Sequence, residues 1–239
     1  MTDVIHSSRD GAVAQITLDR PTEGNLLSTA ALRALTAAFR AAATTDAKVI
    51  LLRSTGAAFC LGREAKVAGP PPTALQMRNT VLGPILDVYD AMANVPQPVV
   101  TAVQGNAFGF GCALAAASDV TIAADSARFK LPEMEKDLPP TLAISAMMTR
   151  VHRKALTFMV YAIEELDAQT ALQVGIVSRV VPLIKLDEAV AKVLATMTAR
   201  SPEALSAVKD YFRAAPHMEP RGAAHYAGNL LAAVLSSAG

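Results

Sequence analysis

Residues Pro98 to Glu133 read PVVTAVQGNAFGFGCALAAASDVTIAADSARFKLPE. An apolar, β-branched run ends in a turn that carries Gly105, Gly109 and Gly111. A helix of small residues follows, then a second apolar strand, then the carboxylate of Glu133 behind Pro132. Glycine lets a chain turn tightly and bring its backbone close to a ligand. A helix that starts in such a turn leaves its first N–H groups unpaired. Those donors can hold a developing negative oxygen, and a nearby carboxylate can move a proton. The order GxxxGxG is neither the phosphate loop GxxxxGK[ST] nor the dinucleotide fingerprint GxGxxG. On the glycines alone, a tight turn without a ligand and a ligand-holding turn fit equally well.

Outward from this stretch, strands and helices alternate. Val13–Leu18 alternates as a strand does. Ser28 caps a helical pattern through about Ala43, with Leu32, Leu35 and Phe39 on one face. Lys48–Arg53 is a buried strand. Gly69-Pro-Pro-Pro72 breaks the chain, and Ala74–Asn94 is a long helix with Leu82, Ile85, Leu86 and Tyr89 inward. Pro96 and Pro98 end it. After the glycine turn come a helix to Ser118 and the strand Val120–Ala123. Pro139-Pro140 opens a helix through Arg150. Helices near Lys154–Ala162 and Ala168–Val174 precede a strand at Ile176–Val181. From Pro182 the pattern is helical throughout: Lys185–Ala199, Pro202–Ala214 and Arg221–Leu235. This alternation predicts an α/β core with parallel pairing over residues 1–182 and a helical C-terminal extension over 183–239.

The chain has 239 residues, 52% of them hydrophobic, enough for a substantial core. Its 22 basic and 21 acidic residues nearly cancel. Bulk attraction to nucleic acid or to an anionic membrane has no basis in that balance. Cys60 and Cys112 are the only cysteines; each lies beside a glycine and reads as a small buried thiol. No CxxC or His/Cys grouping points to zinc. The polar N-terminus lacks a signal-peptide core, and the longest uncharged run contains polar residues and three glycines. A cytoplasmic location with no membrane span is expected.

These residues resemble the crotonase, or enoyl-CoA hydratase/isomerase, superfamily. Ile16-Thr-Leu-Asp-Arg-Pro21 with Asn25-Leu-Leu-Ser28 is similar to its opening signature. Phe59-Cys-Leu-Gly-Arg-Glu64 is similar to its F-[CS]-A-G-A-D pattern, and Pro98–Gly105 with Gly109–Cys112 to its second and more specific one. Asp119, Ala127, Phe129, Pro132 and Glu133 continue that pattern in register, and Gly175-Ile-Val-Ser-Arg-Val180 is similar to a late segment. The resemblance implies a crotonase-like spiral of ββα units with the C-terminal helices as a trimerisation or capping region, hence a homotrimer or hexamer. It implies acyl-CoA thioester substrates and no cofactor beyond the coenzyme A of the substrate itself. It places an oxyanion hole at the backbone N–H groups of Arg63 and Phe110, and Glu133 as the acid/base. Leu61, Gly62, Lys66, Gly109, Gly111, Pro132 and Thr141 fall at substrate- or CoA-binding positions.

The departures bear on the reaction. Hydratases of the family place two glutamates around a water. One of those positions is Glu133, but the other is Ala113. A single base can still move a proton between C2 and C4 of an enoyl thioester, as the family's double-bond isomerases do. Isomerisation is therefore the expected activity. Hydration, or weak catalysis by a CoA-thioester-binding member, is the alternative. Leu61, Glu64 and Thr141 replace a small residue, Asp and Gly. Glu135 and Asp137 read as a solvated loop face, His152 as part of an exposed basic junction, and Ser118-Asp119 as structural.

Overall fold

The computed structural model describes residues 4–64 and 72–237. Nine strands are described. They are β1 (Ile5–Asp10), β2 (Val13–Leu18), β3 (Val49–Ser54), β4 (Val99–Val103), β5 (Ala107–Phe108), β6 (Val120–Ala124), β7 (Arg128–Lys130), β8 (Leu166–Asp167) and β9 (Arg179–Val181). Six form one sheet in the order β1-β2-β3-β4-β6-β9, and β5-β7-β8 form a small second sheet. β1 and β2 are an antiparallel hairpin turned at Gly11. From β2 onward every pair in the large sheet is parallel, because a helical crossover separates each strand from the next. β1 is the outer strand, and all but the first of its residues are exposed.

Alternation along each strand sorts side chains onto two faces. Ile50 and Leu52 of β3 enter the main core, with Ile16 and Leu18 of β2 and Val99 and Val103 of β4. Val49 and Leu51 point the other way, into a second cluster with Val100, Ala102 and Ile122. α1 (Thr29–Ala43) covers the first face. Its N-cap Ser28 accepts from Ala31 N–H at 3.1 Å, and Leu32, Leu35 and Phe39 are wholly buried. Losing such a cap costs about 1 kcal/mol.

The expected long helix is present in pieces. α2 (Ala74–Gln76), capped by Thr73, runs through a π-helical stretch, Met77–Leu82, into α3 (Gly83–Asn94). Of the expected inward residues, Ile85 is buried and Tyr89 packs partly buried on the core, but the buried stripe is completed by Val81, Val88 and Met92 rather than by Leu82 and Leu86. Leu86 is exposed and Leu82 only partly covered. Apolar residues occupy a wide arc of this helix, so spacing alone left the phase open by one position.

After α4 (Phe110–Ala117), α5 (Thr141–Met147) is shorter than expected. Pro140 is its N-cap, and the chain leaves the helix before Arg150. α6 (Arg153–Tyr161) and α7 (Ala168–Gln173) follow. The strand expected from Ile176 begins only at Arg179. The N–H groups of Ile176 and Val177 are both committed to Ala171 O, which closes the end of α7 and leaves them nothing to offer a ladder.

α8 (Leu186–Thr198) packs on the second face of the large sheet, where Leu186, Ala189 and Val190 are buried. The chain's own sheet therefore supplies the cover these positions need, and the hydrophobic core continues past residue 182. α9 (Pro202–Ala214) and α10 (Pro220–Ser237) pack on each other. They leave Val208, Phe212, Leu231 and Leu235 exposed.

Candidate active site

Two turns leave the C-terminal ends of the neighbouring parallel strands β3 and β4 and meet beyond the sheet edge. The first is fixed by Asn25, a wholly buried side chain. Its amide donates to Thr55 O and Ala58 O, each at 2.9 Å, and its carbonyl accepts from Arg20 N–H at 2.8 Å. Asn25 adopts a positive φ of 55°, which asparagine tolerates better than most residues. The turn then runs beside Leu27: Leu27 N–H donates to Gly62 O and Glu64 N–H to Leu27 O. In such a parallel bridge the intervening residue, Arg63, directs its own N–H away from Leu27. Among the described residues this N–H has no acceptor.

The second turn lies almost in contact with the first. A Cβ at Gly105 would fall 1.8 Å from Ala57 O, and one at Gly111 2.1 Å from Cys60 O. Gly111 has no positive φ; close backbone approach, not conformational freedom, requires it. Gly109 is different. Its φ of 51° and ψ of −117° reverse the chain into α4. Phe110 is thereby the first helical residue, and among the described residues its N–H also lacks an acceptor. A Cβ at Gly62 would sit 4.0 Å from Phe110 N, so the two free donors belong to one small volume.

The small sheet brings the carboxylate to them. β5 and β7 pair in parallel with Phe108 opposite Lys130, and Gly109 N–H donates to Lys130 O at 2.8 Å. Leu131 is buried, and Glu133 lies over Gly109: a Cβ there would be 3.0 Å from Glu133 Oε1. Glu133 Oε2 is buried with no hydrogen-bond partner among the described residues. Burial pushes this carboxyl above the ordinary range, partly offset by its own backbone N–H. Neighbouring carboxylates are engaged elsewhere. Glu64 pairs with Arg20, and Glu135 with Lys130. Ala113 is wholly buried one helical turn beyond Gly109, to whose carbonyl its N–H donates.

Of the other residues singled out from sequence, Gly62 and Pro132 lie at this junction. Leu61 leans on Gly24 and is partly exposed. The Arg63 side chain is half-buried, and burial lowers the pKa of its guanidinium. Thr141 is exposed at the start of α5, a helix that packs on α4. Lys66 lies outside the described residues. Both cysteines are buried, and burial pushes the Cys60 thiol up to about 12, so it is an unreactive thiol.

Sequence reading assigned Tyr89 to the core only. Its ring stacks on Phe110 with centroids 5.5 Å apart. The one signal available was a phenol on an otherwise apolar helix face. A cleft of about 410 Å³ lies elsewhere, between the end of α3, α9 and α10, and none of its lining residues belongs to the glycine turns. Among the described residues no three His, Cys, Asp or Glu side chains cluster as metal ligands, and no helix is long and apolar enough to cross a membrane.

The family model described as "Enoyl-CoA hydratase/isomerase" matches residues 8–236. The chain is 33% identical over 208 residues to 2,3-dehydroadipyl-CoA hydratase of Escherichia coli, covering 86% of this chain and 80% of that protein. It is 30% identical over 223 residues to carnitinyl-CoA dehydratase of Salmonella typhi, covering 91% and 83%. Its fold superposes on an enoyl-CoA hydratase of Mycobacterium smegmatis with a TM-score of 0.92 at 29% identity, covering 97% of this chain and 91% of that one.

Proposed function

The chain belongs to the enoyl-CoA hydratase/isomerase family, and from that premise we propose that it shifts the double bond of an enoyl-CoA thioester, with Glu133 as its single acid/base. The N–H groups of Arg63 and Phe110 hold the thioester oxygen. Glu133 takes a proton from C2 of a 3-enoyl thioester, and the electrons move into a dienolate whose negative oxygen faces the two donors. The same carboxyl then returns the proton to C4, leaving a 2-enoyl thioester. Each such donor is worth about 3–4 kcal/mol in the transition state.

The observation that carries this reading is that Glu133 Oε2 is buried with no partner among the described residues, while the position of the family's second glutamate is the buried methyl of Ala113. A raised pKa suits a group that must both accept and release a proton near neutrality. Leu61, Gly62, Lys66, Gly109, Gly111, Pro132 and Thr141 would line the thioester and coenzyme A. No cofactor beyond that coenzyme is invoked. The exposed apolar residues of α9 and α10 would meet other copies in a trimer or hexamer.

Hydration is the second reading, favoured by the hydratase and dehydratase activities named for the relatives. Turnover of a 3-enoyl-CoA and hydration of its 2-enoyl isomer, measured on the same preparation, separate the two. Migration is expected to be faster, and Ala113→Glu is expected to raise hydration. Faster hydration in the unaltered protein overturns the first reading.

A further inference from the structure

The two free donors are aimed by different means. The N–H and the carbonyl of one trans peptide point in opposite directions, so whatever holds the carbonyl also aims the N–H. The peptide that presents Phe110 N–H carries Gly109 O, which accepts from Ala113 N–H at 3.1 Å, a bond of the first turn of α4. Arg63 N–H has no helix behind it. Its peptide begins at Gly62, whose φ of 114° lies where glycine alone is at ease. Glycine does little to fix the plane of the peptide that follows it, so that plane has to be held from outside. Leu27 N–H donates to Gly62 O at 3.1 Å. The Cys60 thiol is the second group there: its Sγ lies 3.6 Å from Gly62 O and 3.3 Å from Asn25 O. Among the described residues Asn25 O accepts no other hydrogen bond. Cys60 is tied to the second turn as well. Its N–H donates to Asn106 O at 3.2 Å, and its carbonyl accepts from Phe108 N–H at 2.9 Å. The residue is wholly buried, and burial keeps the thiol protonated, so it has a hydrogen to donate.

We propose that Cys60 is a positioning residue for the oxyanion hole: its S–H, shared between Asn25 O and Gly62 O, steadies the Gly62–Arg63 peptide and so aims Arg63 N–H at the thioester oxygen. The inference rests on the reading that Arg63 N–H is one of the two thioester donors. The thiol touches no substrate and changes no covalent bond. A single hydrogen bond, from Leu27, leaves the peptide able to rock about it; a second contact on the same carbonyl restrains that motion. A misaimed donor costs most where the negative charge on the oxygen is greatest, in the transition state, and least in the ground state.

The test is Cys60→Ala against Cys60→Ser, the first removing the donor and the second keeping one. The readout is the C=O stretch of a saturated acyl-CoA, labelled with carbon-13 at its carbonyl, which binds without turning over. Binding to the unaltered protein should lower that frequency, because both donors polarise the bond. Cys60→Ala should return part of the shift. It should also lower kcat for an enoyl-CoA about fivefold with KM within about twofold, the effect of one weakened hydrogen bond felt in the transition state. Cys60→Ser should recover most of both. A loss of packing alone would lower stability without moving the frequency of a carbonyl bound to folded protein. If Cys60→Ala does not fold, the S–H stretch of the unaltered protein, the band that Cys60→Ser deletes, decides. A frequency below that of a free thiol supports the bridge, and a free-thiol frequency overturns it. An unchanged carbonyl shift in Cys60→Ala, or Cys60→Ser losing as much as Cys60→Ala, also overturns it. No carbonyl shift on binding to the unaltered protein means that the assignment of the two donors has itself failed, and the inference with it.

Discussion

Two ionisable side chains withdrawn from water, Lys209 and Glu133, are treated in opposite ways. At Lys209, on α9, the ammonium donates to Met92 O at 2.8 Å and Gln97 O at 2.9 Å, and pairs with Asp119 Oδ2 at 3.0 Å. All three of its hydrogens are used. Asp119 also accepts from Val99 N–H, the first amide of β4. Burial lowers the lysine pKa, and Asp119 works against that shift. One side chain thus closes the end of α3 and ties α9 to the core. At Glu133 the carboxyl is also largely removed from water, yet one of its oxygens has no partner. A saturated buried charge fixes structure. An unsaturated one costs stability and keeps a lone pair available for a proton. The contrast separates scaffold from chemistry without reference to either residue's identity.

Glu133→Gln should break the contrast most sharply on the chemical side. Turnover is expected to fall by about 10²–10⁴-fold, the usual worth of general acid–base catalysis. Stability should not fall with it. Because the native carboxyl titrates above its unfolded value, the native state binds the extra proton between those two pKa values. Stability therefore declines as pH rises through that window, and the substitution should flatten the decline. Urea midpoints measured from about pH 4 to 7 check the slope. A steeper slope in the mutant would contradict the raised pKa.

Lys209→Ala should do the reverse. Removing Lys209 leaves Met92 O and Gln97 O without their donor and Asp119 with only Val99 N–H and Arg150 at 3.9 Å, and should cost about 3–5 kcal/mol of stability. A double substitution, Lys209→Met with Asp119→Leu, should recover part of it. At a temperature where the single mutant remains folded, its chemical step should be little changed. A loss under 1 kcal/mol by urea unfolding would show the pair to be solvated.

Arg63→Ala should have the smallest effect. The amide remains, so kcat should change by less than about threefold while affinity for an acyl-CoA falls modestly. A large kcat loss would transfer the role from backbone to side chain.

Much of this was legible in sequence because the governing constraints are local. The β-branched run, the glycine cluster and the small-residue helix at Val99–Ala117 encode their own geometry. Glu133 is singled out in the sequence by its place after Pro132 in the pattern that resembles the family's. Other features depend on distant partners. The short strands at Ala107–Phe108 and Arg128–Lys130 exist only because they pair with one another. Their few residues carry no periodicity to read. The glycine at 111 answers not to a local turn but to Cys60 O, fifty-one residues earlier in the chain. Tyr89 reads as core from its spacing; only its stacking on Phe110 shows that its ring reaches the second glycine turn. The C-terminal apolar positions needed a partner surface, and their spacing could not say that Leu186 and Val190 find it on this chain's own sheet.

The two amides without acceptors also have a signature in time. Most backbone N–H groups of a packed core are protected from exchange with deuterated solvent by the hydrogen bonds they make. Arg63 and Phe110 sit among such groups but lack that bond among the described residues, so solvent access there sets their rate. Under the proposed function, a bound thioester oxygen would supply the missing acceptor to both at once. Slowed exchange at these two positions, far apart in sequence and rising together with occupancy, would make the pair a built-in reporter of ligand capture.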